Sequence, residues 1–168
     1  MRSLVLATAA AFLCAGCAAA PFPAELTRSV NRSLSLEQMR ADPQAHVGAR
    51  VIVGGEILAT TPKPGETEIE VLSRRLDSGE APERSDRSSG RFLARPPGFL
   101  DPAIYARGRR ITVLGTLAGS EERRVGELPY VYPVITAERI KLWPKEGEWV
   151  GGEYPPVPLD SPVLPYTR

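Results

Sequence analysis

After position 17 this 168-residue chain has no cysteine, so nothing downstream can be cross-linked by a disulfide. Histidine occurs once, at His46, which leaves no pair for a two-histidine metal site and no ordinary Ser-His-Asp constellation. No apolar run reaches the roughly 20 residues needed to cross a bilayer as a helix. Charge of one sign is not in excess either. Removal of residues 1–16 takes away Arg2 and no acid, leaving 20 basic and 20 acidic side chains. A balanced surface of this kind gives no electrostatic case for nucleic acid as a partner.

What is present begins at the N-terminus. Arg2, the apolar stretch Leu4 to Leu13 and the small residues up to Cys17 have the anatomy of a secretory leader. Both cysteines, Cys14 and Cys17, fall in "FLCAGC", where a CxxC redox reading lacks the folded context it requires. The stretch "LCAGC" instead resembles the lipobox of bacterial lipoproteins, with Cys14 in place of the usual leucine; a thiol is a small hydrophobe that suits the same apolar pocket. The resemblance implies that Cys17 is the lipid attachment site and the first residue after cleavage. Ala18 and Ala19 follow it without an aspartate, which implies sorting to the outer membrane. A periplasmic domain without disulfides must then rely on its apolar core.

Proline placement divides the remainder. Residues 17–32 read as a tether, 33–143 as a domain, and 144–168 as a proline-rich tail that cannot form a layer of the fold. That tail, with Trp149, Tyr154 and Leu164, is expected to be mobile alone and ordered on a partner.

Within the domain the reading is mainly β. "SLEQMRA", residues 35–41, suits two helical turns. Residues 50–61 place Val51, Val53, Ile57 and Ala59 on one face at period two, and residues 67–74 set Ile69 and Val71 against an outer, solvated Glu68 and Glu70. Residues 77–90 are almost free of apolar side chains and read as a solvated loop; Arg74, Arg75, Arg84, Arg87, Arg91 and Arg95 with their neighbouring acids read as a mixed surface. A short strand at 91–95 follows, then a brief helix in "FLDPAIYARG" capped by Asp101 and ended by Gly108, a strand at 109–118, and a bulged last strand at 132–143. Three strands, a helix and two strands match an OB-fold-like five-stranded Greek-key barrel with a short helix between strands three and four. "GARVIVGGEI" from Gly48 and "GRRITVLGTL" from Gly108 echo each other, which marks Gly54 or Gly55, and Gly115, as barrel kinks.

No catalytic residue, metal ligand or cofactor motif emerges. Phe92 and Phe99 read as core; Tyr130 and Tyr132, placed near the loop between strands four and five, are the candidate ligand-binding pair, since OB barrels stack sugars and bases on exposed rings.

Residues 90–119, "GRFLARPPGFLDPAIYARGRRITVLGTLAG", and 128–143, "LPYVYPVITAERIKLW", closely resemble the Slp family of outer-membrane lipoproteins, at Gly90–Arg91, Gly98–Pro102 and Leu114–Thr116 in particular. The likeness extends more loosely over Gly48–Gly55 and the lipobox. It implies a periplasm-facing envelope lipoprotein linked to starvation, stationary phase or stress, held to outer-membrane lipid through acylated Cys17, with no established enzymatic activity to carry over. Its implied partner is another envelope component. The alternative is a binding module for an oligosaccharide or peptidoglycan fragment using the barrel face with Tyr130 and Tyr132.

Overall fold

A computed structural model describes residues 20–145. The leader, Cys17 and the tail from residue 146 lie outside the described residues. Two short helices, α1 (Ala24–Thr27) and α2 (Leu36–Ala41), and a 3₁₀ turn at Gln44–His46 precede five strands: β1 (Arg50–Lys63), β2 (Glu66–Ser73), β3 (Arg91–Arg95), β4 (Arg110–Val125) and β5 (Leu128–Leu142). They close into a ring in the order β1–β2–β3–β5–β4, with β1 returning to β4. The β3–β5 pair is parallel and the other pairs are antiparallel. This is the Greek-key barrel order expected of an OB-type fold, and closure leaves the sheet without open edges.

Alternation explains the core. Val51, Val53, Ile57, Ile69, Val71, Phe92, Ala94, Ile111, Val113, Leu117, Ile135 and Ala137 point inward and pack as one cluster. Two bulges adjust the phase of the β4–β5 ladder. On β5, Leu114 pairs with Arg139 and Gly115 with Ala137, so Glu138 is the extra residue and the last strand is bulged as its apolar pattern indicated. On β1 a register shift between Ile57 and Ala59 turns Ala59 outward, against its expected place on the inner face.

The helix is the main departure from the expected order. Residues 101–108 form turns, not a helix between strands three and four. Asp101 does cap the turn, its Oδ1 accepting from the Ala103 amide at 2.8 Å, and the Tyr105 amide donates to Asp101 O at 2.9 Å. Two later carbonyls of the turn accept from side chains: Thr60 Oγ1 donates to Tyr105 O at 2.7 Å and Arg109 Nη1 to Ile104 O at 3.4 Å. The amides a helix would bring to those carbonyls bond elsewhere, Gly108 N–H to Ile57 O at 2.9 Å and Arg109 N–H to Ala106 O at 3.1 Å, so the turn does not propagate. Phe99, expected in the core, is 71% exposed on the same loop.

The helix that fills the barrel comes earlier in the chain. Ser35 and Gln38 form a reciprocal capping box for α2, whose Leu36 and Met39 join the barrel core. The stretch preceding it, read as a tether, is fastened to the barrel. Phe22 is buried, the Asn31 amide donates to Arg50 O at 2.8 Å, and Arg50 Nη1 donates to Ser29 Oγ at 2.7 Å.

Glycine matters where strands approach each other most closely. A methyl carbon at Gly55 would stand 2.0 Å from Leu72 O, and one at Gly115 would stand 2.3 Å from Thr136 O and 2.9 Å from Ile135 Cγ2. The repeated strand motif marks Gly115, and Gly54 or Gly55 without choosing between them; a methyl carbon at Gly54 would also stand 2.7 Å from Ile111 O. Gly115→Ala is expected to destabilise the protein by on the order of 2 kcal/mol or more, because backbone atoms on the neighbouring strand must give way. Urea denaturation checks this, and an unchanged midpoint would show that the β4–β5 contact is looser than drawn.

Candidate functional site: a charged cage between barrel and arm

The β4–β5 ladder runs past the barrel. Residues beyond Gly119 continue pairing, Glu121 with Tyr132, Arg123 with Tyr130 and Val125 with Leu128, to a tight turn at Gly126, where φ is +63°. The hairpin arm so formed lays one face on the outside of β2 and β3. There Leu93, fully buried, packs with Tyr132 and Val134, flanked by Val125 and Tyr130, as a second small core separate from the barrel interior.

Beside this second core sits Glu68, which is 6% exposed. A carboxylate taken that far out of water requires cations and hydrogen bonds in compensation. It receives them from three strands. Lys63 Nζ, at the end of β1, donates to Oε2 at 2.8 Å; Arg95 on β3 donates through Nε at 3.0 Å and Nη2 at 2.6 Å; Arg123 on the arm spans both oxygens at 2.8 Å each. Glu121, also on the arm, closes the cage by accepting from both Arg95 and Arg123. Bidentate arginine contacts of this kind hold geometry as well as charge. The Arg123 guanidinium, opposed by burial and aided by Lys63 and Arg95, keeps the Glu68 carboxyl far below the usual carboxylate range. Glu68 is therefore held as a carboxylate at neutral pH.

A second link lies one pleat away. Glu70 Oε1 accepts from Arg91 Nη1 at 2.9 Å and from the Tyr132 hydroxyl at 2.8 Å; burial, then the Glu70 bond, raises the Tyr132 phenol above its ordinary pKa. The Tyr130 hydroxyl accepts from the Arg91 amide at 2.7 Å, and the Arg40 guanidinium lies 4.5 Å above the Tyr130 ring. The two tyrosine rings meet edge to face at 4.9 Å.

The expected positions therefore resolve as follows. Tyr130 and Tyr132 are brought together, but inside the arm–barrel seam rather than at a loop mouth: Tyr132 is 2% exposed and one face of Tyr130 is covered by Arg40. Glu68 and Glu70 are not solvated outer residues, because the arm covers the face they share. Arg91 and Arg95 belong to the seam instead of a loose surface. Cys17 falls outside the described residues. Lys63, Glu121 and Arg123 were missed as functional positions. The signal lay in "SEERRV", where charge alternates at period two, a strand pattern with a polar inner face.

Glu66 Oε1 lies 3.8 Å from Arg95 Nε, so three acids face the three cations, and no nucleophile or free base is left within the cage. Among the described residues no group of His, Cys, Asp and Glu side chains is placed to hold a metal ion, and no helix is long and apolar enough to cross a membrane.

These features define a closed OB-type barrel with a clasped hairpin arm. The outer membrane lipoprotein Slp family model matches residues 14–167, and the chain belongs to that family. It is 31% identical over 156 residues to the uncharacterized lipoprotein YeaY of Escherichia coli, covering 93% of this chain and 78% of that protein. It is 29% identical over 132 residues to the outer membrane protein Slp of Escherichia coli, covering 79% and 70%. An uncharacterized protein of Haemophilus influenzae is 36% identical over 140 residues, covering 81% and 73%. Among solved structures a small single-stranded DNA-binding protein of Streptomyces coelicolor superposes with a TM-score of 0.36 at 18% identity, over 56% of this chain and 94% of that one, which is too distant to bear on function.

Because the folded-state pKa of Glu68 is depressed, its contribution to stability is complete above the unfolded value and is lost as pH falls through the folded one. The melting temperature is expected to decline progressively below about pH 5. Glu68→Gln should lower stability near neutral pH by on the order of 3 kcal/mol, since it leaves Arg95 and Arg123 short of charge. It should also flatten the acid limb of the profile. Thermal melts from pH 7 to pH 3 check both, and a variant with the same slope as the parent would show that Glu68 is not the titrating group.

Proposed function

We propose that this protein is a non-enzymatic outer-membrane lipoprotein, anchored through an acylated Cys17 and holding its barrel on the periplasmic side against another envelope component. The observation that carries this reading is the short distance along the chain from the "LCAGC" cysteine to the first fixed side chain. Phe22 is already buried in the folded unit, five residues after Cys17. Five residues reach at most about 18 Å in any conformation. A lipid on Cys17 thus keeps the barrel at the membrane surface instead of on a long leash. Diacylglycerol with an amide-linked acyl chain supplies several chains, and each buried CH₂ contributes about 0.8 kcal/mol, enough for stable anchoring.

The self-satisfied cage supports a structural or interaction role over catalysis. Its charges are consumed in holding the arm on the barrel, so the arm is presented as a rigid projection with Leu128, 72% exposed, at its tip. A role in starvation, stationary phase or stress belongs to this reading and rests on the family likeness. Stacking of a glycan on Tyr130 and Tyr132 would require the seam to open.

Metabolic labelling with palmitate followed by membrane fractionation tests the anchor. The parent protein is expected to be labelled and to sediment with the outer membrane, whereas Cys17→Ser is expected to be unlabelled and either soluble in the periplasm or retained with its leader. A processed Cys17→Ser protein that still fractionates with the outer membrane would contradict the reading.

A further inference from the structure

Glu80 carries two costs that its turn does not require. It is the one non-glycine residue with positive φ among the described residues, at +61°, where glycine would be unstrained. Its side chain is also withdrawn from water: the residue is 8% exposed, and Oε2 is buried without a hydrogen-bond partner. A buried acceptor left unsatisfied destabilises the fold. The backbone around it is held firmly, with Glu80 O accepting from Thr112 Oγ1 at 2.6 Å and Asp77 Oδ1 accepting from the Gly79 and Ala81 amides. The turn is thus built by Asp77 and Thr112, and a glycine at position 80 would remove both costs. The carboxylate is what a glycine could not provide.

That carboxylate lines a groove of about 450 Å³ between the segment leading into α2 and the start of the loop after β2. Val30, Leu34, Ile52 and Leu76 supply half-buried apolar wall. Of the other charged groups lining the groove, Arg74 donates to Glu56 and to Arg87 O, Arg75 faces Glu83 and is 85% exposed, Asp77 caps its own turn, and Glu37 faces Ser35 and Ser89. Among the described residues the cation that reaches Glu80 is Arg32, its Nη2 lying 2.8 Å from Oε1, and that side chain is 60% exposed on the rim. An exposed arginine on one oxygen of a buried carboxylate is held weakly and is readily exchanged. Glu37 and Asp77 also line the groove, yet among the described residues no group of His, Cys, Asp and Glu is placed to supply the six or more oxygens a hard divalent ion needs. Glu80 is the carboxylate there with a buried, unpartnered oxygen beside apolar walls. It suits one ammonium group carrying a short hydrocarbon stem.

We propose that Glu80 is the anionic seat of a binding groove for a small primary ammonium with an apolar stem, and that Arg32 is the internal cation which such a ligand displaces. The ammonium would take both carboxylate oxygens while its stem covers Leu34, Ile52 and Leu76. Free alkylamines and the ethanolamine headgroup of a phospholipid share this chemistry.

The test is a ¹H–¹⁵N titration of the full-length protein in dodecyl maltoside micelles with pentylamine, and with pentanol as the uncharged probe. Pentylamine is expected to shift the amides of Ile52, Leu76 and Glu80, and pentanol is not. Arg32→Gln should tighten pentylamine binding by about tenfold, because the competing cation is gone. Glu80→Gln and Glu80→Gly should both abolish it, the second while keeping or raising the melting temperature, which separates lost binding from lost folding. Equal shifts with pentanol, or an Arg32→Gln protein that binds no more tightly, would overturn the proposal. Repeating the titration in phosphatidylethanolamine nanodiscs distinguishes the sources: amides already shifted and unresponsive to pentylamine assign the headgroup, and an unchanged response assigns a soluble amine.

Discussion

Glu68 cannot be buried alone, and the outer half of this structure follows from that constraint. A carboxylate at 6% exposure needs compensating donors, and β2 and β3 together provide only Arg95. Lys63 comes from β1 and Arg123 from a hairpin arm that must extend well past the barrel to arrive. Once the arm is drawn down, Leu93 acquires a cover, and Tyr130 finds a donor in the Arg91 amide while Tyr132 finds an acceptor in Glu70. Charge pairing fixes where the arm lies, and apolar burial beneath it supplies much of the stabilisation. Removal of one partner would leave the others buried and uncompensated, which is why such a cage constrains geometry more strongly than an exposed ion pair would.

The inner half obeys a different rule. Closing five strands into so small a ring brings backbones into contact, and Gly55 and Gly115 stand where no side chain fits. The barrel interior is then filled from the N-terminal side by Leu36 and Met39 of α2. Filling from that side ties the segment after Cys17 to the barrel, so the family's lipoprotein character and the packing of the fold meet in one short stretch of chain.

Much of the barrel was legible in the sequence, because period-two alternation around Val51, Val53, Ile69, Val71, Ile111 and Val113 has one physical reading. The arm was not. Residues 121–124 are two glutamates followed by two arginines, so each face of the strand carries one of each, and such a strand looks the same whether its inner face meets water or a charged partner on another strand. Glu68 and Glu70 were misread for the same reason: they do point out of the barrel, and only tertiary structure places an arm there. The Asp101 turn carried valid cap signals, yet Thr60 and Arg109, distant or unremarkable in sequence, claim the carbonyls a helix would have used. Phe99 reads as core because it flanks the expected helix, and it has no such place where the chain forms turns instead. Cys17 lies outside the described residues, and its role as an attachment site rests on the lipobox likeness.

The account depends most on Glu68 and Arg123 acting as one unit across the arm–barrel seam. A double-mutant cycle with Glu68→Gln, Arg123→Gln and the pair, read by equilibrium denaturation at pH 7, measures that directly. Side chains in one charged network couple by about 0.5–3 kcal/mol, and the cage predicts a value near the upper end. Costs that simply add, within about 0.5 kcal/mol, would mean that the arm is held by its apolar contacts and that the cage does not position it.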